Sequence, residues 1–168
     1  MLHIVIRGDA LKNEIKWGKL LGSVLIPLAL GGVSAWLTRG SMAHYGQVYK
    51  PVLSPPGWLF PVVWTILYVL MGLASYLILR SDAPEEKKKR ALTLYAVQLL
   101  VNVVWPLIFF NAERYLLAFL WLVALFVLVW VCAARFRAVC KRAGDLLIPY
   151  LVWLFFAGYL NLGVYLLN

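Results

Sequence analysis

The chain has 168 residues, of which 64% are hydrophobic and only 14% are charged, and its formal net charge is +9. Soluble globular domains contain about 45–50% apolar and about 25% charged residues, so this composition excludes an ordinary soluble domain. The positive charge does not indicate a nucleic-acid partner, because the basic residues lie in short clusters between long uncharged runs. The composition therefore predicts an integral membrane protein, with the lipid bilayer as its surroundings.

Five runs of the sequence lack Asp, Glu, Lys and Arg, and each is close to the roughly 20 residues that a helix needs to cross a bilayer. Strands of a membrane barrel would be about 10 residues long with alternating hydrophobicity, which these runs do not show. The predicted fold class is all-α: a five-transmembrane-helix bundle with a long first loop. The predicted spans are residues 20–37, 58–79, 91–111, 115–134 and 146–167.

Residues 1–16 form a polar N-terminal extension, and the membrane domain occupies residues 17–168. If the spans alternate in direction, thirteen Lys and Arg lie on the side of the extension and three on the other side. The positive-inside rule then predicts a cytoplasmic N-terminus and an external C-terminus. We expect a bacterial inner membrane. We also expect the first span to be retained, since its apolar run is long enough to cross the bilayer.

The first connection, residues 38–54, is much longer than the other three. Long loops in compact folds often act as lids or binding segments. Pro51, Pro55 and Pro56 should stiffen the end of this one, and Ser54 is placed to cap the second helix. A plain connector without a binding role is the alternative.

The second helix places Phe60, Trp64 and Tyr68 at intervals of four, so the three rings share one face. An aromatic stripe of this kind is more often core than a ligand wall, and both interpretations stay open. Internal prolines tend to kink a helix, and kinked helices either enclose a cavity or are ordinary packing features. Such prolines occur at Pro27, Pro61, Pro106 and Pro149.

The third helix carries the most specific polar pattern. Tyr95, Gln98, Asn102 and Trp105 follow one another at intervals of three, four and three, which places them on one face. Amide groups are costly against lipid, so we expect this face to point into the bundle. Hydrogen bonding between helices and contact with a ligand are equally weighted explanations.

A tight turn at residues 111–114 joins the third helix to the fourth. The fifth helix places Trp153, Ala157, Leu160 and Asn161 on a common face. The small Ala157 beside Trp153 leaves room for a flat guest. Aromatic walls with a few amide groups suit a planar, mostly apolar ligand.

Conventional catalytic sets do not occur within the spans. All seven acidic residues and both histidines, His3 and His44, fall in tails or connections. The spans contain neither paired carboxylates, nor a nucleophile with its base, nor a metal-ligand spacing. We therefore predict no metal site and no required cofactor.

The stretch from Tyr45 to Tyr68, YGQVYKPVLSPPGWLFPVVWTILY, resembles the hallmark of the TspO/MBR family, whose members are called translocator proteins or peripheral-type benzodiazepine receptors. Residues 26–38, 98–105 and 148–161 resemble its first, third and fifth helices. The resemblance covers about residues 20–168. It implies a five-helix bundle, commonly a homodimer, with a pocket that opens toward the first loop.

The resemblance also implies ligands and a site. The expected ligands are tetrapyrroles such as protoporphyrin IX and haem, together with synthetic isoquinoline-carboxamide and benzodiazepine compounds. By motif position, the ligand-binding residues are Tyr45, Pro55, Phe60, Trp64, Asn102, Trp105, Trp153, Ala157 and Leu160.

Two departures from the family pattern qualify this expectation. The family often has tryptophan at the position of Leu53, so an aromatic contact of the loop is lost. The cholesterol motif of animal members requires a basic residue after a tyrosine, whereas no Lys or Arg follows Arg142. We therefore do not predict specific cholesterol recognition.

The first hypothesis for function is a membrane tetrapyrrole-binding protein that acts as sensor, carrier or translocator. The macrocycle would lie between Trp64, Trp105 and Trp153, and its propionates near Lys50 or Arg39. The second hypothesis is light-dependent porphyrin degradation, in which Trp64 and Trp153 relay or quench radicals. Active translocation is disfavoured by the lack of charges at mid-membrane depth, and a purely structural membrane protein is the remaining alternative.

Overall fold

The structure is a computed structural model that describes residues 15–168, without the side chains of residues 42–44. Most of the predicted N-terminal extension therefore lies outside the described residues, as does the side chain of His44. All the regular elements of the described part are helices. They are α1 (Trp17–Thr38), α2 (Met42–Gln47), α3 (Leu59–Arg80), α4 (Glu85–Pro106), α5 (Tyr115–Val139), α6 (Lys141–Asp145) and α7 (Ile148–Leu167).

Five helices of the described part are long and apolar enough to cross a membrane, which confirms the predicted five-span bundle. The helix α4 begins at Glu85, ahead of the predicted span, because the charged stretch before residue 91 is itself helical. Its ion pairs follow helical spacing: Lys88 with Glu85 at 2.8 Å and Arg90 with Glu86 at 2.9 Å. Absence of charge therefore locates the bilayer crossing, whereas Lys, Arg and Glu, which are good helix formers, extend the helix beyond it.

The helices form a ring in which α1 packs against α3 and α4, α4 packs against α5, and α5 packs against α7. Aromatic side chains join the remaining pair, α3 and α7. The ring centroids of Phe60 and Trp153 are 5.9 Å apart, and those of Trp64 and Tyr150 are 6.0 Å apart. The seam between α3 and α7 is thus a row of rings.

The helices α1 and α3 approach each other closely. A Cβ atom added at Gly72 would lie 2.6 Å from the Cα of Val24 and 2.7 Å from the carbonyl oxygen of Ser23. Farther along α1, Gly31 lies directly against the ring of Tyr68. Gly72 of α3 and Gly31 of α1 therefore allow close packing between two helices of the same chain.

Pro106 ends the regular part of α4, and a π-helical turn, Leu107–Asn111, follows it. The amide of Asn111 connects this turn to the end of α1: its Nδ2 donates to the carbonyl oxygen of Leu37 at 3.1 Å, and its Oδ1 accepts from the hydroxyl of Ser41 at 2.8 Å. Pro61 and Pro149 lie in the first turns of α3 and α7. They remove no hydrogen bond within the helix there, so the expected kinks at these two positions were wrong.

The first loop is attached to α7 rather than free. The amide of Asn168 accepts from the backbone N–H of Tyr49 at 3.1 Å and donates to its carbonyl oxygen at 3.0 Å. The hydroxyl of Tyr159 donates to the carbonyl oxygen of Val52 at 2.6 Å. The hydroxyl of Ser54 donates back to Pro51 at 2.8 Å, and α3 begins at Leu59 without a side-chain cap, so the predicted capping by Ser54 was wrong.

Candidate functional site

A cavity of about 360 Å³ lies between α1, α3 and α4, beneath the short helix α2. Its size falls within the range of small-molecule pockets, about 300–1,000 Å³. Five of the nine predicted ligand-binding residues border it. They are Tyr45, Phe60, Trp64, Asn102 and Trp105.

Asn102 is buried beside the cavity and holds three helices together. Its Oδ1 accepts from the hydroxyl of Tyr68 on α3 at 2.9 Å, and its Nδ2 donates to the hydroxyl of Tyr150 on α7 at 2.6 Å. A primary amide carries two hydrogens on its nitrogen. One of them is used in the bond to Tyr150, and the side chain keeps a second donor for another partner.

Aromatic rings form the cavity walls. The indole Nε1 of Trp105 donates to the Oδ1 of Asn161 at 3.2 Å, and Nδ2 of Asn161 donates to the carbonyl oxygen of Tyr115 at 2.8 Å. The indole N–H of Trp105 is therefore occupied, and this residue offers the cavity its ring surface. Trp64 stacks on Tyr68 with centroids 5.5 Å apart, which fixes a second wall.

Of the two explanations offered for the polar face of α4, hydrogen bonding between helices is confirmed, and contact with a ligand stays a prediction. Asn102 and Trp105 bond to neighbouring helices and also border the cavity. Tyr95 and Gln98 are buried but do not border it, and Nε2 of Gln98 lies 3.9 Å from the sulfur of Met71. Hydrogen bonding to other helices thus occurs at Gln98, Asn102 and Trp105 but not, within the described part of the chain, at the hydroxyl of Tyr95, and Asn102 and Trp105 also face the cavity.

Tyr45 covers the end of the cavity nearest the first loop. Its ring contacts Phe109 and Phe110, with centroids 5.6 and 5.2 Å away, and Nζ of Lys50 lies 4.6 Å from the ring centroid. Burial raises the pKa of the Tyr45 hydroxyl, and repulsion from Tyr115 raises it further. The residue is therefore a neutral phenol around pH 7, whose hydroxyl can donate a hydrogen bond while its ring contacts the ammonium group of Lys50.

Arg39 is the second positive charge at this end of the cavity. It borders the cavity, and its guanidinium carbon lies 5.0 Å from the ring centroid of Trp36. The structure gives neither Arg39 nor Lys50 an ion pair with any residue that it describes. The positive potential here is therefore not cancelled by a neighbouring carboxylate of the described chain.

Four predicted ligand-binding residues do not border this cavity: Pro55, Trp153, Ala157 and Leu160. Phe60 stands between the cavity and Trp153, because the rings of α3 fill the seam toward α7. The indole nitrogen of Trp153 is buried without a hydrogen-bond partner among the described residues. Ala157 and Leu160 are buried in the core.

Sequence reasoning missed the contribution of α1 to the cavity. Ser34 and Thr38, one turn apart, are buried and line it. The hydroxyl of Ser34 donates to the carbonyl oxygen of Val103 at 3.3 Å, and that of Thr38 to the carbonyl oxygen of Ser34 at 3.0 Å. Their spacing of four in the apolar second half of α1 is a signal that would have identified this face.

The described part of the chain holds no group of His, Cys, Asp and Glu that would bind a metal ion. The cavity therefore offers aromatic surface, one amide donor, two hydroxyl groups of α1 and two cations at its end. Such a site is suited to bind a flat, mostly apolar molecule that carries an anionic group.

Comparison with known proteins agrees with this architecture. Residues 23–166 match the TspO/MBR family. The Tryptophan-rich protein TspO of Chlorobaculum tepidum is 35% identical over 84% of this chain and 90% of its own length. The Translocator protein of Ovis aries is 36% identical over 86% of this chain and 87% of its own length. The Tryptophan-rich sensory protein of Cereibacter sphaeroides is 36% identical over 74% of this chain and 76% of its own length. With five membrane-spanning helices and a family match over most of its length, this chain belongs to the TspO/MBR family of integral membrane proteins.

Proposed function

We propose that this protein binds a tetrapyrrole, such as protoporphyrin IX or haem, in the cavity beneath the first loop, and that it acts as a membrane sensor, carrier or translocator. The observation that carries the proposal is the pairing of aromatic walls with unpaired cations: Phe60, Trp64 and Trp105 line a cavity whose end carries Arg39 and Lys50. Relatives named as a sensory protein and as translocator proteins support a ligand-responsive role.

The chemistry of each group matches one part of a porphyrin. Aromatic rings favour stacked or edge-on contacts with a flat π-system. Guanidinium and ammonium groups form charge-assisted hydrogen bonds with carboxylates, so Arg39 and Lys50 would bind the propionates. The free amide hydrogen of Asn102 would serve a ring nitrogen or another polar edge.

The position of Trp153 alters the expected pose. Because Phe60 screens Trp153 from the cavity, the macrocycle would lie among Phe60, Trp64 and Trp105 rather than reach α7. The homodimer, the cytoplasmic N-terminus, the inner-membrane location and the binding of isoquinoline-carboxamide or benzodiazepine compounds stay predictions alongside this proposal.

The test is quenching of tryptophan fluorescence by protoporphyrin IX, measured on purified full-length protein in detergent and in the dark. Saturable quenching is expected, with affinity at least about tenfold weaker in Trp64→Ala, because one stacking wall is removed. Trp130→Ala is the matched control, since Trp130 is 60% exposed on α5 and does not border the cavity. Linear quenching that is the same in all three proteins would overturn the proposal.

A second candidate is light-dependent porphyrin degradation. The observation in its favour is that Trp64 both borders the cavity and stacks on Tyr68, so two oxidisable rings would adjoin the bound macrocycle. The photoexcited porphyrin would react with dioxygen, and these rings would relay or quench the resulting radicals. Loss of porphyrin absorbance under light, compared with a dark control, separates this activity from binding alone.

A further inference from the structure

The cavity reaches the outer surface of the bundle between α1 and α3. Ala35 and Arg39 on α1 line it and are also exposed, as are Gly57, just before α3, and Pro61 in its first turn. Ala35 and Arg39 form one edge of the opening, and Gly57 and Pro61 form the edge that faces it. The two residues of each edge are four positions apart. We call the opening bounded by these four residues the α1–α3 slot.

The slot lacks a bulky barrier along most of its length. Ala35, Gly57 and Pro61 are small or compact, and only Arg39 has a long side chain, which is turned onto the ring of Trp36. The end of the slot farther from the first loop is closed where Gly31 meets the ring of Tyr68. From this contact α1 and α3 diverge toward the first loop, and the cavity occupies the space between them.

The end of the cavity nearest the first loop is covered. The ring of Tyr45 packs on Phe109 and Phe110, and Lys50 lies over it. The loop that carries Lys50 is attached to α7 through the amide of Asn168. A ligand that arrives from water through the loop would have to displace these contacts, whereas the slot requires no such change.

The surface around the slot is that of a lipid-facing helix pair. Trp36 is 59% exposed, Trp58 is 67% exposed and Val62 is 47% exposed. Tryptophan is enriched where membranes meet water, with its ring at headgroup level, and Arg39 lies at this level beside Trp36. An amphiphile in the bilayer would therefore present its anionic group near Arg39 and its flat apolar body to the gap between Ala35 and Pro61.

We propose that the α1–α3 slot is a lateral portal through which an anionic, flat, apolar ligand dissolved in the bilayer reaches the cavity directly from the lipid. This inference rests on the proposed function for the class of ligand. It adds a route: the ligand partitions into the membrane first, and Arg39 selects its orientation before it passes the slot.

The test is the kinetics of protoporphyrin IX binding to full-length protein in lipid vesicles, followed by fluorescence quenching. Ala35→Phe and, separately, Pro61→Phe narrow the slot from either edge. Both are expected to slow association and dissociation by about tenfold or more. Slower dissociation is the decisive readout, because Ala35 and Pro61 also line the cavity. A side chain that merely filled the cavity would instead weaken the affinity and speed dissociation.

Val33→Phe is the matched control, because Val33 is 50% exposed on the same helix and does not line the cavity. It is expected to bind and release at the rates of the unsubstituted protein. Unchanged rates in both slot variants, or faster release with weaker affinity, overturn the portal but leave the proposed function standing. No saturable binding by the unsubstituted protein overturns the proposed function, and the portal with it.

Discussion

The hydroxyl of Tyr68 donates a hydrogen bond of 2.9 Å to the side-chain oxygen of Asn102, beside the cavity. The same amide donates to Tyr150, so one side chain of α4 connects α3 and α7. These helices otherwise meet through aromatic rings, so the amide of Asn102 adds a polar link between them.

Removal of the connection should lower stability by a measurable but modest amount. Hydrogen bonds between membrane helices contribute on average about 0.6 kcal/mol each. Tyr68→Phe is expected to cost about that much, and Asn102→Ala more, because it leaves two buried hydroxyl groups without their partner. Thermal unfolding in detergent of both single variants and the double variant measures the coupling. Strictly additive losses would contradict the bond between Tyr68 and Asn102.

The contact between α1 and α3 predicts a strong effect of one methyl group. Gly72→Ala places a carbon against the backbone of Ser23 and Val24, so the helices must separate, and a loss of about 1–3 kcal/mol is expected, as for overpacked cores. Gly22→Ala is the control, because a Cβ there has nothing within 4 Å. Thermal unfolding should show a large loss for the first variant only. Equal midpoints for the two would show that the contact does not hold the pair together.

Arg39 and Lys50 predict a ligand affinity that depends on salt. Arg39→Ala and Lys50→Ala should each weaken protoporphyrin IX binding and flatten the decline of affinity with ionic strength, because one charge pair is removed. An uncharged isoquinoline-carboxamide should bind these variants as it binds the parent protein, since it carries no carboxylate. Titrations at several salt concentrations provide the measurement. Unchanged porphyrin affinity and salt dependence in both variants would exclude these residues as propionate partners.

The different positions of Trp64 and Trp153 predict unequal roles in any photochemistry. Trp64 borders the cavity, whereas Trp153 lies behind Phe60, and electron transfer requires proximity to the macrocycle. Trp64→Phe should therefore change the rate at which bound porphyrin loses absorbance under light, and Trp153→Phe should leave it almost unaltered. The two rates are compared at equal porphyrin occupancy. Equal rates in the parent and both variants would remove tryptophan from the mechanism.

The attachment of the first loop predicts a local change in hydrogen exchange. Asn168→Ala removes the acceptor of the Tyr49 backbone N–H, so exchange at Tyr49 should become faster. Asn168→Asp keeps an acceptor oxygen for the Tyr49 N–H and loses the two bonds that Nδ2 donates, to the carbonyl oxygens of Tyr49 and Val164, so more protection should remain at Tyr49 than in Asn168→Ala. Exchange followed by mass spectrometry or NMR distinguishes the two. Identical protection in all three proteins would mean that this amide does not hold the loop.

The sequence predicts the spans well because charge is excluded from hydrocarbon, and this exclusion is local. The inward face of α4 is likewise predictable, since the spacing of Asn102 and Trp105 follows the helical period. Such arguments depend only on residues near one another in the chain.

The lining of the cavity is a different kind of property. Motif position assigned Trp153 to the ligand site, yet Phe60 of another helix packs against it, and Trp153 does not border the cavity. Ser34 and Thr38 line the cavity because α1 and α3 diverge from Gly31 toward the first loop. Which inward residue meets the cavity depends on contacts between distant segments, which periodicity within one helix does not contain.

The π-helical turn after Pro106 has a consequence for insertions and deletions. A π turn accommodates one residue more than the α-helix it interrupts, and one residue corresponds to a rotation of roughly 100°. Without that extra residue, a helix that presents Asn102 and Trp105 to the cavity would turn Asn111 away from Leu37 and Ser41. The turn thus sets the rotation of Asn111 relative to the part of α4 that borders the cavity. Deletion of one residue from 107–111 would release the end of α1 while leaving the hydropathy of the span almost unchanged.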